Sequence, residues 1–378
     1  MTILKGLLVD PSLFTAPYDG ALSEGLEANG VTPLWLTRRL RINEAPEISA
    51  ANVRPIFYGL TDGPRRRQGK PWQLLKGVEH IAGLRQTARI ARSGYDVVHF
   101  QWAVLPRIDV RAINEMRRHV PVVLTVHDTT PFNGKAVSRM QTDGLHGVMH
   151  AVDALIVHTE GGRETLRAEG IDARRIHVVP HGPLRLRGSS GEPRRAGRWR
   201  IVMFGRLQAY KGLDVLIEAA GLLDAETRAR IEIIIAGEPM IDLAPHCARV
   251  AALGMDDLFD FRPQRLDDDA MSALLHSADT FVFPYRAIEA SGVLFLVADL
   301  GKWMVASDLG AFREMISDGG NGTLVEPGDA VALAGALKAS IGREVNEGPA
   351  KAPDWAEIGG MTRAIYERLI HDRRELAA

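Results

Sequence analysis

Short apolar runs recur along this chain, with helical stretches between them. In the first half they are Ile3–Val9, Val31–Leu36, Ile56–Tyr58, Val97–Phe100, Val122–Val126, Leu155–Val157 and Ile176–Val179. In the second half they are Ile201–Phe204, Ile231–Ala236, Leu258–Phe261, Thr280–Phe283, Met304–Ala306 and Thr323–Val325. Several, such as VVLTV and IEIIIAG, show little alternation. Strands buried on both faces read this way, and parallel sheets covered by helices require it. The strand–helix alternation therefore predicts an α/β fold with parallel sheets. The pattern breaks once, in RLRGSSGEPRRAGR, which is rich in Gly, Ser, Pro and Arg and has no apolar period. It reads as a linker. The expected organisation is a doubly wound domain over 1–185, a linker over 186–198, a second doubly wound domain over 199–355, and a final helix over 356–378.

Composition narrows the function classes. A length of 378 residues suits two ordinary domains, and 46% hydrophobic with 25% charged residues is usual for a soluble globular protein. The formal net charge of −1 supplies no field to recruit nucleic acid. The one cysteine, Cys247, cannot form a disulfide within the chain, which fits a reducing compartment. The start, MTILKGLLVDPS, reads as a strand and a polar turn rather than a signal peptide. No apolar run approaches the roughly 18–20 residues that span a bilayer. The expectation is a cytoplasmic protein, with contact to the inner face of a membrane left open.

The sharpest chemical signal is FGRLQAYKGLDVLIEAA, Phe204 to Ala220. An apolar strand runs into Gly205–Arg206, a short loop presents Lys211–Gly212, and an amphipathic helix follows. Free N–H groups and the dipole at a helix N-terminus favour an anion. Arg206 can grip phosphate oxygens as a planar fork, and Lys211 can add a point charge. An exposed loop with solvated cations is the plainer reading. The preceding strand and the glycine pair favour a phosphate or diphosphate site.

The motif series in the second half is GRLQAYKGLDVLIEA, IIIAGEP, ADTFVFPYRAIEASGVLFLVADLGKWMVASDLGAFREMI and GNGTLVEPGD. In order and spacing it resembles the family 4 retaining glycosyltransferases (glycosyl transferases group 1). In the first half DVVHFQW, VVLTVHDTTP, DALIVHTEGGRETL and IHVVPHGP agree. The resemblance implies the GT-B fold, two Rossmann-like domains whose parallel sheets face an interdomain cleft. The N-terminal domain would hold the acceptor, the C-terminal domain the nucleotide-sugar donor, and the last helix would cross back to the N-domain. It implies a sugar donor on UDP, GDP or ADP and a glycan or polyprenyl-linked acceptor, in bacterial polysaccharide biosynthesis, with no cofactor and no metal.

Residue by residue, the resemblance assigns Arg206 and Lys211 to the donor diphosphate. Gly205, Ser291, Gly292, Val293 and Leu294 count among the donor contacts, the last three as a helix start facing the distal phosphate. Gly237 matches the glycine that lets the nucleotide approach the backbone, and Arg262 the strand end against the base. Of the two glutamates the family usually carries, Leu296 replaces the second. Glu289 corresponds to the first after a one-residue shift. A helix N-terminal carboxylate is the alternative for Glu289. His127, directly after the VVLTV strand, matches the family's histidine near the transferred sugar; a core histidine is the alternative. The catalytic set is then His127, Arg206, Lys211 and Glu289. Transfer would proceed on one face of the sugar, the leaving diphosphate taking the acceptor proton. A non-catalytic sugar-nucleotide-binding subunit and a GT-B-fold epimerase are the other readings, the missing glutamate motivating the first.

Other groups are weighed beside these. Asp128 can cap the following turn. His99 and Gln101 end a strand and could line the acceptor side, and His158 and His181 also follow strands. RLDDDAM resembles a metal-binding aspartate motif but precedes an apolar-periodic helix, so its aspartates read as cap and first-turn residues. Within 65–94, Trp72, Leu75, Val78, Ile81 and Leu84 fall at helical spacing among basic residues. Such a segment can lie on anionic lipid or pack on the core with a solvated basic face.

Overall fold

The computed structural model describes all residues except 1, 43, 68, 130–143, 185, 187–190, 194, 196, 289–290, 346–352 and 378. The chain divides into two compact units. One runs from the start of the chain to Gly182 and includes the C-terminal helix from Pro353; the other begins at Pro183.

The first unit is built on β1 (Leu4–Asp10), β2 (Val31–Arg38), β3 (Val53–Phe57), β4 (Val97–Phe100), β5 (Val122–Thr125), β6 (Ala154–Val157) and β7 (Ile176–Val178). Every pairing is parallel, and the sheet order is β3-β2-β1-β4-β5-β6-β7. Helices α1 (Ala16–Ala28), α2 (Lys70–Ala91), α3 (Pro106–Met116), α4 (Leu145–Ala151) and α5 (Glu160–Ala168) lie between the strands. The central strands are buried on both faces, as continuous apolar runs require. Helix starts follow local chemistry: the Thr159 hydroxyl accepts from the Gly162 N–H at 2.9 Å and caps α5.

The second unit holds β8 (Trp199–Phe204), β9 (Ile231–Ala236), β10 (Phe259–Arg262), β11 (Thr280–Phe283), β12 (Trp303–Ser307) and β13 (Gly322–Val325), again all parallel, in the order β10-β9-β8-β11-β12-β13. Its helices are α6 (Leu213–Gly221), α7 (Ala225–Arg230), α8 (Ala244–Ala252), α9 (Asp268–Ser277), α10 (Gly292–Val297), α11 (Gly310–Met315) and α12 (Ala330–Ala339). The Asp267 carboxylate accepts from Ala270 N–H at 2.8 Å and caps α9, so this member of the RLDDDAM run serves the helix. In the linker run, Glu192, Arg195 and Arg198 are fastened to this unit by bonds to Arg262, Ala273 and Asp257.

The last helix, α13 (Trp355–Ala377), packs against α1. The crossing is close because both helices present glycine. A Cβ on Gly25 would sit 1.9 Å from the Trp355 carbonyl, and one on Gly359 2.0 Å from the Gly25 carbonyl. Any side chain there would push the helices apart. Both sheets reverse strand order beside their central strands, at β1/β4 and at β8/β11. Ligands in open α/β sheets bind outside the carboxyl ends of strands at such points.

Candidate functional site

In the second unit the switch point is built by glycines. β8 runs into Gly205 (φ +104), and Gly212 (φ +70) opens α6. A Cβ on Gly212 would lie 1.9 Å from the Pro284 carbonyl, so only glycine lets the loop press against the end of β11. Gly237 (φ +140) fits as closely, a Cβ there falling 2.1 Å from the Gly205 carbonyl. Between these contacts one turn of 3₁₀ helix, Ala209–Lys211, carries the lysine.

Lys211 is buried, at 4% exposure. Its ammonium donates to the Phe204 carbonyl at 3.1 Å and stands 5.2 Å from the centre of the Tyr285 ring. Burial pulls its pKa down to about 8, and neighbouring Arg206 pushes the same way. Arg206 is exposed and has no hydrogen-bond or ion-pair partner among the described residues. A desolvated ammonium beside a free guanidinium, at the open end of a sheet, makes a receptor for a multiply charged anion. Tyr285, buried beneath the lysine, was not singled out from the sequence, although it lies two residues past the end of β11 in FPYR.

The remaining donor-side candidates are placed less uniformly. Ser291 is buried at the start of α10, with Gly292 exposed, Val293 half-buried and Leu294 buried beside it. Arg262 ends β10, and its guanidinium is already engaged. It meets both carboxylate oxygens of Glu192 at 2.9 Å and Asp260 at 2.9 Å. Glu289 lies outside the described residues.

In the first unit the strand ends gather histidines. His158 Nδ1 faces the Val179 carbonyl at 3.0 Å, so that nitrogen carries the proton. Its Nε2 then accepts from His127 Nδ1 at 3.1 Å. A neutral His127 keeps a lone pair on Nε2, 3.1 Å from the position of the Gln101 side-chain oxygen, and that lone pair assigns the NH₂ to this end of the amide. The other end of that amide meets His99 Nε2 at 3.4 Å. His99 also bonds Thr125 at 2.7 Å and the Tyr366 hydroxyl of α13 at 2.6 Å. Burial depresses every ring: His99 and His181 to about 3, His158 to about 4, and His127 well below its ordinary range. For His99, His127 and His181 neighbouring imidazoles add to the effect. The network is neutral at pH 7.

His99 and Gln101 are therefore sealed under the surface rather than lining it. His127 is half-buried, stacked on Trp102 at 5.1 Å and edge-on to Tyr18 at 4.9 Å. Asp128 is half-buried beside it, while the turn it was expected to cap falls largely outside the described residues. Phe14, 52% exposed, meets the Trp102 ring at 5.6 Å and extends the aromatic rim. A second buried group was missed from the sequence. Asp10, the last residue of β1, accepts from the N–H groups of Ser12 (3.0 Å) and Thr15 (3.3 Å), while the Asp19 carboxyl accepts from the Thr15 hydroxyl at 3.3 Å. Burial raises the pKa of both, and the Asp10 charge raises Asp19 further, so Asp19 holds the proton.

The basic segment forms α2, whose core face is His80, Gly83, Leu84, Thr87, Ala88, Ile90 and Ala91. Trp72, Leu75 and Ile81 are half-buried, but Val78 points outward at 62% exposure, as does Leu74 at 76%. Spacing by threes winds round a helix of 3.6 residues per turn, which is why Val78 leaves the buried side. No helix among the described residues is long and apolar enough to cross a membrane.

Comparison with known proteins agrees with this architecture. Residues 20–182 match the model Glycosyltransferase Family 4, and residues 198–342 match Glycosyl transferases group 1. A D-inositol 3-phosphate glycosyltransferase of Geodermatophilus obscurus is 29% identical over 350 residues, covering 85% of this chain and 76% of its own. A phosphatidyl-myo-inositol mannosyltransferase of Mycobacterium leprae is 27% identical over 290 residues, covering 72% and 73%. Among solved structures, Anabaena HepE in complex with UDP and glucose superposes with a TM-score of 0.65 at 16% identity, over 97% of this chain and 99% of that one. Sucrose-phosphate synthase from Thermosynechococcus elongatus gives 0.66 at 16% identity, over 99% and 98%. The chain belongs to the group 1 and family 4 glycosyltransferases, enzymes of the GT-B fold.

Proposed function

We propose that this glycosyltransferase takes a sugar from a nucleoside-diphosphate donor and transfers it, with retention and without a metal, to a glycan or lipid-linked acceptor. The observation that carries the reading is buried Lys211 beside Arg206, which has no hydrogen-bond or ion-pair partner among the described residues, at the switch point of the six-stranded sheet. Both cations stabilise charge that grows on the diphosphate as the sugar leaves, more than they stabilise the bound donor. The bond from the sugar's anomeric carbon to the phosphate oxygen breaks. The acceptor oxygen bonds to that carbon from the same face, and its proton passes to the departing phosphate. Gly205 and Gly237 keep the backbone clear for the nucleotide. Ser291, Gly292, Val293, Leu294 and Glu289 would complete the donor side, and His127 would hydrogen-bond the sugar.

The inositol-bearing acceptors in the relatives' names favour a polar or phosphorylated acceptor headgroup, of the kind used in bacterial polysaccharide and glycolipid assembly. Exposed Leu74 and Val78, flanked by Lys70, Arg85 and Arg89 on α2, support contact with an anionic membrane from the cytoplasmic side. Thermal-shift measurement with UDP-, GDP- and ADP-sugars tests the donor. The right one raises the melting temperature by mass action, and Arg206→Ala weakens its binding roughly tenfold. Unchanged affinity in Arg206→Ala would count against the site.

A further inference from the structure

The first turn of α1, the end of β2 and the segment after it border a half-open cavity of about 340 Å³ in the first unit. Leu13, Ala16, Leu40, Ile48, Val53 and Pro55 form an apolar wall. Protein interiors pack nearly as densely as organic crystals, so an apolar space of this size is the kind that holds a ligand. An apolar wall gives water too few partners to fill it. One wall residue is held in an unusual backbone: Leu13 has φ +50, which a side chain with a Cβ adopts rarely. Its neighbour Phe14 turns instead to Trp102, which stacks on His127.

The polar part of the lining is Thr37, Arg38, Arg39 and Glu47. Arg38 is buried and saturated, donating to the Ser12 carbonyl at 3.0 Å and to both carboxylate oxygens of Glu44 at 2.7 Å. Arg41, just beyond, is paired with Asp62 at 2.8 Å. Glu47 is partnered as well. Arg39 is exposed; its backbone carbonyl accepts from the Arg38 guanidinium at 2.9 Å, and its own guanidinium has no hydrogen bond or ion pair among the described residues. An apolar pocket with one unspent cation at its mouth matches an amphiphile with an anionic head. It does not match a bare glycan, which would need hydrogen-bonding groups along the wall.

We propose that this cavity seats the alkyl or prenyl chain of the acceptor, with the acceptor's phosphate against Arg39. The proposal rests on the transferase reading only for the word acceptor, since the pocket can be tested by binding alone. Leu13 lines the seat and Phe14 lies against the aromatic rim of His127. One short loop therefore joins the seat to the strand-end site.

The test titrates the full chain with n-alkyl phosphates from butyl to hexadecyl, and with the corresponding alcohols, by calorimetry below the micelle concentration. Affinity should rise about fourfold for each added CH₂ and level off once the chain outgrows the cavity. Phosphates should bind roughly tenfold tighter than alcohols, and Arg39→Ala should remove that preference. Ala50→Trp, on the pocket wall, should bring the plateau to shorter chains. Affinity that climbs without a plateau, or a plateau unmoved by Ala50→Trp, overturns the proposal. So does a phosphate preference that survives Arg39→Ala. UDP binding measured on the same samples reports on the donor reading, which can fail separately; both variants should keep it.

Discussion

At the carboxyl end of the seven-stranded sheet, buried His99 and His158 and half-buried His127 and His181 gather with Gln101, Thr125, Tyr18 and Tyr366, and the imidazoles stay neutral. At the carboxyl end of the six-stranded sheet, the buried Lys211 ammonium has one carbonyl hydrogen bond and the face of Tyr285, and Arg206 has no hydrogen-bond or ion-pair partner among the described residues. The first region satisfies its polar atoms within the chain, through bonds such as His99 to Tyr366 and His158 to Val179. The second leaves positive charge unsatisfied. A satisfied buried network adds stability and fixes geometry. A desolvated, poorly paired cation costs stability and is retained for what it binds. On the proposed function, the contrast divides the labour between two sheets alike in topology: orientation in one and anion capture in the other.

The contrast breaks most visibly with Lys211→Met, which keeps length and removes charge. Nucleotide-diphosphate affinity should fall on the order of 100-fold or more, because the anion loses a charged partner in a water-poor site. The free protein should melt at a higher temperature, since a buried charge with one hydrogen bond has been replaced by a hydrophobe. His99→Leu should do the reverse. It leaves the Tyr366 and Thr125 hydroxyls buried without their partner and should cost about 2–4 kcal/mol in denaturant unfolding. Its effect on nucleotide affinity should be small. If both variants destabilise alike, the two regions are not loaded differently.

Much of this was legible in the sequence, and the reasons divide cleanly. Strands such as Val122–Thr125 and Ile231–Ala236 are buried on both faces, so their apolar runs announce them. The edge strand was displaced: the run Ile56–Tyr58 becomes β3 at Val53–Phe57, where only Phe57 is fully buried and Pro55 interrupts the pattern. The Arg206–Lys211 loop was legible because strand, glycine and cation are neighbours in the chain. What was missed depends on distant partners. His99 is sealed by Tyr366, 267 residues away, and Arg262 is held by Glu192 across 70 residues. Asp10 and Asp19 each look ordinary until the first turn of α1 folds one against the other. No local pattern encodes those meetings.

Acid sharpens the comparison on the histidine side. The folded pKa values lie below the ordinary 6.5, near 3 for His99 and His181 and near 4 for His158. Between 6.5 and those values the unfolded chain binds more protons than the folded one, so stability falls as pH falls through that window. Each buried histidine contributes up to about 1.4 kcal/mol per pH unit. The carboxyl pair runs the other way: its raised values make folding more favourable as pH drops toward the ordinary carboxylate range. Denaturant titrations from pH 7 to pH 4 should therefore show a net loss that is shallower in His158→Gln. A profile identical to wild type in that variant would mean the ring is not kept neutral by folding.

The smallest effect belongs to the lysine side and distinguishes a cation kept for binding from one that is merely buried. With a pKa of about 8 in the free protein, Lys211 is mostly charged at pH 7 and mostly neutral by pH 9. A bound diphosphate stabilises the ammonium and raises that value. Donor affinity should be flat below about 8 and then fall by up to tenfold per pH unit, until the pKa of the complex is reached. The fall requires that binding at pH 8.5 take up part of a proton, whereas binding at pH 6.5 takes up almost none. Calorimetry in two buffers of different ionisation enthalpy reads that uptake directly. Lys211→Arg supplies the control: a guanidinium stays charged throughout, so its uptake should vanish even if its bulk weakens binding. Proton uptake that persists in Lys211→Arg would assign the titration to another group. Lys211 would then be a buried cation with no part in holding the donor.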